Sequence, residues 1–184
     1  IWEVDYQLFD TSENTGIFGC ANGENNFNCL GTNKNFNNYF VQIGSGNNYQ
    51  QSNVAKDIMR HTHKVSLPDR KYIIDDVNET DLSSLTYAKS DYAYGLWFYN
   101  GGGTSYIRYT SGMVYHCSIK GRCDLYPCVR ISDGAAGMFD VIHRKFYINS
   151  GTDRLRSPTD LFYDCMDLEN YSIATSVNYR TKQD

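Results

Sequence analysis

The chain has no run of lysine or arginine forming a stripe that tracks phosphates, and its formal charge is −4, from 17 basic and 21 acidic residues. Nucleic acid is therefore not expected as a partner. No apolar stretch approaches the ~20 residues a helix needs to span a bilayer, so no membrane partner is expected either. Sustained helical periodicity is missing beyond a single turn expected near residues 53–60. There is no Cys-x-x-Cys pair and no histidine at zinc-finger spacing, which argues against a structural metal site. Gly-x-Ser-x-Gly and P-loop signatures are absent, and the Gly101–Thr104 run lacks the lysine and the following helix of a phosphate cradle. No aspartate cluster matches a calcium motif, so no cofactor is expected.

What remains is a composition suited to sheets and turns. Aromatic residues make up 15% of the chain, with 16 Tyr and 15 Gly against only 3 Pro. The 184 residues fit one domain with a core of its own. Ile1 and Trp2 open inside an alternating strand with no basic n-region and apolar h-region before them, as expected of a processed product or a fragment of something longer. In "WEVDYQL", Trp2, Val4, Tyr6 and Leu8 share one face while Glu3, Asp5 and Gln7 share the other, the pattern of a half-buried strand. Further strands are expected at "TGIFGCAN", "HTHKVSL", "KYIIDDV", "YAYGLWFY", "SGMVYHCSIK", "CDLYPCVRIS", "GMFDV" and "KFYINS". Asparagine and glycine dominate residues 14–53, read as polar loop with "NYFVQIG" as its one clear strand. Short strands at this spacing predict an all-β sandwich.

Six cysteines, Cys20, Cys29, Cys117, Cys123, Cys128 and Cys165, form an even set. Disulfides are the expected state, which implies an extracellular setting; buried thiols inside a cell are the alternative. Among about fifteen connectivities, the short 20–29 and 117–123 loops look closable, leaving Cys128 for Cys165. Asn78 and Asn170 lie in glycosylation sequons, which discriminate little in an Asn-rich chain.

The residues that carry chemistry are few. Glu3 and Asp5 alternate along one strand face as in glucanases that flank a sugar bond with two carboxyls, but Gln7 holds the third position. An amide there cannot donate and recover a proton, so no catalytic residue is expected. His61 and His63 share a strand face without a third metal ligand and are expected to be exposed, while His116 and His143 stand alone. Sugar recognition suits the rim loops of a sandwich, where tyrosine and tryptophan stack on pyranose faces and amides bond hydroxyls. The candidates are Trp97, Tyr99, Asn100 and Tyr106 at the Gly-rich tip, with Asn47, Asn48 and Tyr49; for Trp97, inside an apolar strand, a core position is the competing reading.

Residues 124–153, "DLYPCVRISDGAAGMFDVIHRKFYINSGTD", resemble a recurring ending of concanavalin A-like, laminin-G-like jelly-roll domains in bacterial surface proteins and phage fibres. The resemblance rests on Pro127-Cys128, the Ser132-Asp133-Gly134 turn, Gly137, Phe139 and Asp140, then Phe146-Tyr147 closed by Asn149, Gly151 and Thr152. It extends over residues 1–153 and has no counterpart for 154–184, expected as a C-terminal extension packed on the sandwich. It implies a two-sheet antiparallel jelly roll, with Phe139, Phe146 and Ile148 as core contacts. It also implies a non-catalytic extracellular, surface or virion module that binds a glycan or cell-surface receptor. The alternative is a structural subunit that self-assembles into a phage fibre, virion or filament; a glycoside hydrolase is a remote third. Calcium occurs in laminin-G-like domains, although no motif for it is present here.

Overall fold

The computed structural model describes residues 1–12, 14–22, 26–44, 48–86, 95–96, 112–130, 133–148, 155–156 and 177–179. In chain order its strands are β1 (Trp2–Leu8), β2 (Thr15–Asn22), β3 (Asn26–Thr32), β4 (Asn38–Gly44), β5 (Tyr49–Ala55), β6 (Arg60–Ser66), β7 (Lys71–Ile74), β8 (Asn78–Asp81) and β9 (Gly95–Leu96). They continue with β10 (Gly112–Ile119), β11 (Cys123–Val129), β12 (Ala136–Asp140), β13 (Lys145–Tyr147), β14 (Leu155–Arg156) and β15 (Val177–Tyr179). Among the described residues there is no helix, and the turn expected near 53–60 is instead the end of β5 and a bend.

Two antiparallel sheets make a β-sandwich. The larger runs β13-β12-β11-β10-β1-β6-β7-β8, and β15, itself paired with β14, joins the Gly112 end of β10. The extension thus supplies two short strands to this sheet. The smaller sheet runs β5-β4-β3-β2-β9. The alternation of β1 is realised in full: Trp2, Val4, Tyr6 and Leu8 are buried, whereas Glu3, Asp5 and Gln7 turn outward. Burying each inward side chain is worth roughly 1.5–3 kcal/mol. Across the sandwich Trp2 meets Phe18 edge-on at 5.9 Å and Tyr6 meets Tyr39 at 6.4 Å.

The Asn-rich region holds more strand than its composition suggests. Besides β4, both β3 and β5 lie within residues expected to be loop. In β3, Asn28, Leu30 and Thr32 are buried beside Ile43, Val41 and Tyr39 of β4. Asparagine disfavours strands only weakly, and cross-strand packing overrides it here.

The expected 20–29 and 117–123 disulfides are not formed: Cys20, Cys29, Cys117 and Cys123 are thiols. The register explains both. Cys29 lies opposite Gly19, and Cys20 opposite Asn28, so the two sulfurs project from opposite faces of one sheet. Cys29 packs against Phe40 and Phe36. Cys117 lies opposite Leu125 and Cys123 opposite Ile119, which sets these two diagonally, beyond the Cβ separation a disulfide bridges. Cys128 is in a disulfide; Cys165, its expected partner, lies outside the described residues.

The closing hairpin β12–β13 buries Phe139 against Cys128 and Phe146, but Ile148, expected in the core, is 57% exposed. It stands one residue past the end of β13, where the ladder no longer dictates which way it faces. Gly137 is required by close approach. A Cβ added there would run into the Tyr147 carbonyl oxygen and lie 2.6 Å from the Phe146 ring, which covers the glycine. Asp140, fully buried, accepts hydrogen bonds from the amides of Asp124 (3.2 Å) and Ile142 (3.0 Å) and from His143 Nδ1 (2.7 Å). Burial alone raises its pKa; these bonds outweigh it and hold the carboxyl below its ordinary value.

Gly137→Ala is expected to destabilise the protein by about 1–3 kcal/mol, measured by urea unfolding. Native alkylation is expected to spare the buried Cys20, Cys29 and Cys117 and to reach the half-buried Cys123 first, with all four reacting in urea; mass spectrometry reads the order.

Candidate functional site

With one face of β1 committed to the core, its other face and the outward residues of β6, β10 and β11 form an open polar surface. Antiparallel pairing sets Asp5 between His116 on β10 and Thr62 on β6, and Glu3 between Ser118 and Lys64. A register shift between Asp5 and Tyr6 inserts Tyr115 as an extra residue of β10, a bulge that re-aims its ring. The outcome is two adjoining knots of side chains.

In the first, Asp5 accepts a bidentate pair from Arg60, with Nε to Oδ1 at 2.9 Å, and the guanidinium lies 4.0 Å from the centre of the Tyr115 ring. Tyr115 Oη donates to Gln7 Oε1 at 3.0 Å, and Gln7 Nε2 donates to the Ile58 carbonyl at 2.9 Å. The Asp5 contacts hold the Arg60 guanidinium charged, its pKa raised first by that hydrogen bond. In the second knot His116 Nε2 bonds Asp124 Oδ1 at 2.6 Å, its Nδ1 lies 3.9 Å from Glu3 Oε1, and its ring tilts against Tyr126 at 4.8 Å. Because Asp5 and His116 are cross-strand neighbours, the knots form one row from Tyr115 to Tyr126. Both tyrosines are half-buried.

This row is not where sequence reasoning placed recognition. Trp97, Tyr99, Asn100, Tyr106 and Asn47 lie outside the described residues. Asn48 is taken up by structure, its Nδ2 donating to the Ile43 carbonyl and, at 3.0 Å, to that of Thr86. Tyr49 stacks on Phe36 at 4.9 Å and meets Phe40 edge-on, on the smaller sheet. Neither adjoins the row on the larger sheet. Glu3, Asp5 and Gln7 were legible by alternation; Arg60, Tyr115, His116, Asp124 and Tyr126 were not, since strand pairing brings them together.

A second cluster lies beneath the same strands. His61 and His63, expected to be exposed, face inward with Val65, because Arg60, Thr62 and Lys64 take the outward positions of β6. The apolar Val65, two residues beyond His63, was the available signal. His63 is 1% exposed, stacked on Tyr6 at 4.6 Å with Tyr39 edge-on at 4.8 Å, and its Nδ1 bonds Tyr72 Oη at 2.6 Å. Burial drives its pKa well below the ordinary histidine value, with a smaller push from His61. Burial likewise pushes Tyr39 up to about 12. His63 Nε2 and Tyr6 Oη find no hydrogen-bond partner among the described residues. Those residues contain no group of three or more His, Cys, Asp or Glu side chains able to hold a metal.

Comparison with protein-family models, with curated proteins and with solved structures returns no match to this chain. The functional reading therefore rests on the geometry of the chain itself and on the resemblance of its closing hairpin.

His63 must stay neutral to stay buried. Its contribution to stability is present above the unfolded-chain pKa of about 6.5 and is lost as pH falls below it towards the depressed folded value. Urea unfolding across pH is expected to show this acid limb, and His63→Phe, which keeps a ring without a titrating nitrogen, is expected to flatten it.

Proposed function

We propose that this chain is a non-catalytic carbohydrate-binding or adhesion module of concanavalin A-like, jelly-roll architecture, and that the outward row of the larger sheet recognises the glycan. The observation that carries this reading is the row itself: carboxylates and a guanidinium held in fixed hydrogen-bonded orientations on an open sheet face, bounded by Tyr115 and Tyr126. Such groups bond sugar hydroxyls without first losing conformational freedom, and tyrosine offers an apolar ring beside them. Arg60 covers one face of Tyr115, so ring stacking is assigned to Tyr126 and hydroxyl recognition to Glu3, Asp124 and the rim of Arg60.

The same geometry favours binding over hydrolysis. Asp5 is committed to Arg60, and Gln7 uses both ends of its amide in bonds to Tyr115 and Ile58. Neither is poised to exchange a proton with a glycosidic oxygen. The four thiols take away much of the disulfide argument for the expected extracellular or virion setting, which rests on the resemblance and on the disulfide of Cys128.

One observation favours a structural subunit instead. Val141, Ile142, Tyr147 and Ile148 are exposed together on the closing hairpin, a surface suited to contact with another copy.

A glycan array separates the two readings. Saturable binding that falls about tenfold or more in Tyr126→Ala and Arg60→Ala, both still folded by circular dichroism, is the expected result. Absence of binding, together with concentration-dependent assembly that Ile142→Asp abolishes, would establish the structural reading in its place.

A further inference from the structure

The connection from β5 to β6 and the turn from β7 to β8 meet at one imidazole. His61 Nε2 lies 3.0 Å from Asp57 Oδ1, and its Nδ1 lies 2.6 Å from Asp75 Oδ2. A neutral imidazole has one N–H and would turn a lone pair towards one of these carboxylates; only the imidazolium donates to both. We propose that His61 is a protonated clasp joining the 57–59 connection to the 75–77 turn, and that its deprotonation releases one of them, making the clasp a pH-sensitive conformational switch.

Each carboxylate holds more than the histidine. Asp57 Oδ1 also accepts from the Met59 amide at 2.7 Å, and Asp75 Oδ1 accepts from the Thr62 amide at 2.8 Å. Asp75 and Asp76 both have left-handed backbone, with φ of 54° and 56°, at the centre of a tight turn in which the Val77 amide donates to the Ile74 carbonyl, a conformation aspartate tolerates. The groups facing the imidazole are Asp57, Asp75, Tyr6 as its cross-strand partner on β1, Tyr39 on β4 and His63 on its own strand; Tyr72 on β7 stands behind His63. Tyr6, Tyr39 and Tyr72 are neutral, with pKa values raised by burial, and His63 is held neutral, so the two aspartates dominate. Burial lowers the His61 pKa, but hydrogen bonds to Asp75 and Asp57 together with their charges outweigh it, and the net shift is upward.

The sign follows. With its folded pKa raised, the clasp is fully present below the unfolded value of about 6.5 and is lost as pH rises through the folded value. The segments it releases carry Ile58, Met59 and Val77, exposed at 56%, 63% and 81%, which leaves them few other packing contacts. The Ile58 carbonyl is also the acceptor of Gln7, so opening on that side loosens one end of the outward row whatever that row binds.

The test is a nuclear magnetic resonance titration of the His61 ring in the intact chain, with hydrogen-exchange protection factors measured for the Met59 and Thr62 amides over the same pH range. The expected result is a midpoint above that of a histidine in an unstructured peptide, lowered by Asp75→Asn and by Asp57→Asn. Protection at Met59 or Thr62 should fall about tenfold across that midpoint, while amides of β1 and β10 hold theirs. A midpoint at or below the peptide value, or protection that is flat across the titration, overturns the proposal. The wild-type titration alone decides this if a variant fails to fold.

Discussion

The structure depends on the alternation of β1 at the centre of the larger sheet. Trp2, Val4, Tyr6 and Leu8 enter the core together, and the strand is paired along its length by β10 on one side and β6 on the other. A slip of one residue would drive Glu3, Asp5 and Gln7 into that core, where each carboxylate would lose its hydration without a partner. The register is therefore strongly specified, and with it the identity of every side chain facing outward. The outward row and the hydrophobic core are two faces of one constraint.

That constraint also brings a polar cluster into the interior. Tyr6, Tyr39, Tyr72 and His63 fill space that aliphatic side chains usually fill, and their rings interlock by stacking and edge contacts. Aromatic rings with a polar tip are suited to this position because burial keeps them neutral, as the displaced pKa values of His63, Tyr6 and Tyr72 indicate. The neighbouring His61 differs in lying at the rim, where Asp57 and Asp75 reach it. Two histidines two positions apart are thus shifted in opposite directions, one upward by its carboxylate partners and the other downward by burial.

Legibility in the sequence followed the range of the interaction. β1, β4, β10 and the β12–β13 hairpin were readable because alternation and turn residues are local signals, and Gly137, singled out as part of the hairpin, proves to be the close contact beneath Phe146. β3 and β5 were hidden, since an asparagine in a strand looks like an asparagine in a loop until a neighbouring strand covers it. The cysteines misled for a related reason. Closeness along the chain suggested bridges between Cys20 and Cys29 and between Cys117 and Cys123, but register puts the first two on opposite faces and sets the second two diagonally apart.

By itself the sequence determined that the chain is all-β, that Glu3, Asp5 and Gln7 share a face, and that a tight glycine-bearing hairpin closes the 124–148 segment. These follow from period-two alternation and backbone preferences that act over a few residues. Only the tertiary structure decided that His61 and His63 turn inward, that Arg60 reaches Asp5 across 55 positions and Tyr115 reaches Gln7 across 108, and that four cysteines remain thiols. Such contacts depend on which strands pair and in what register, and that is settled by the burial of the whole core rather than by any short stretch of residues.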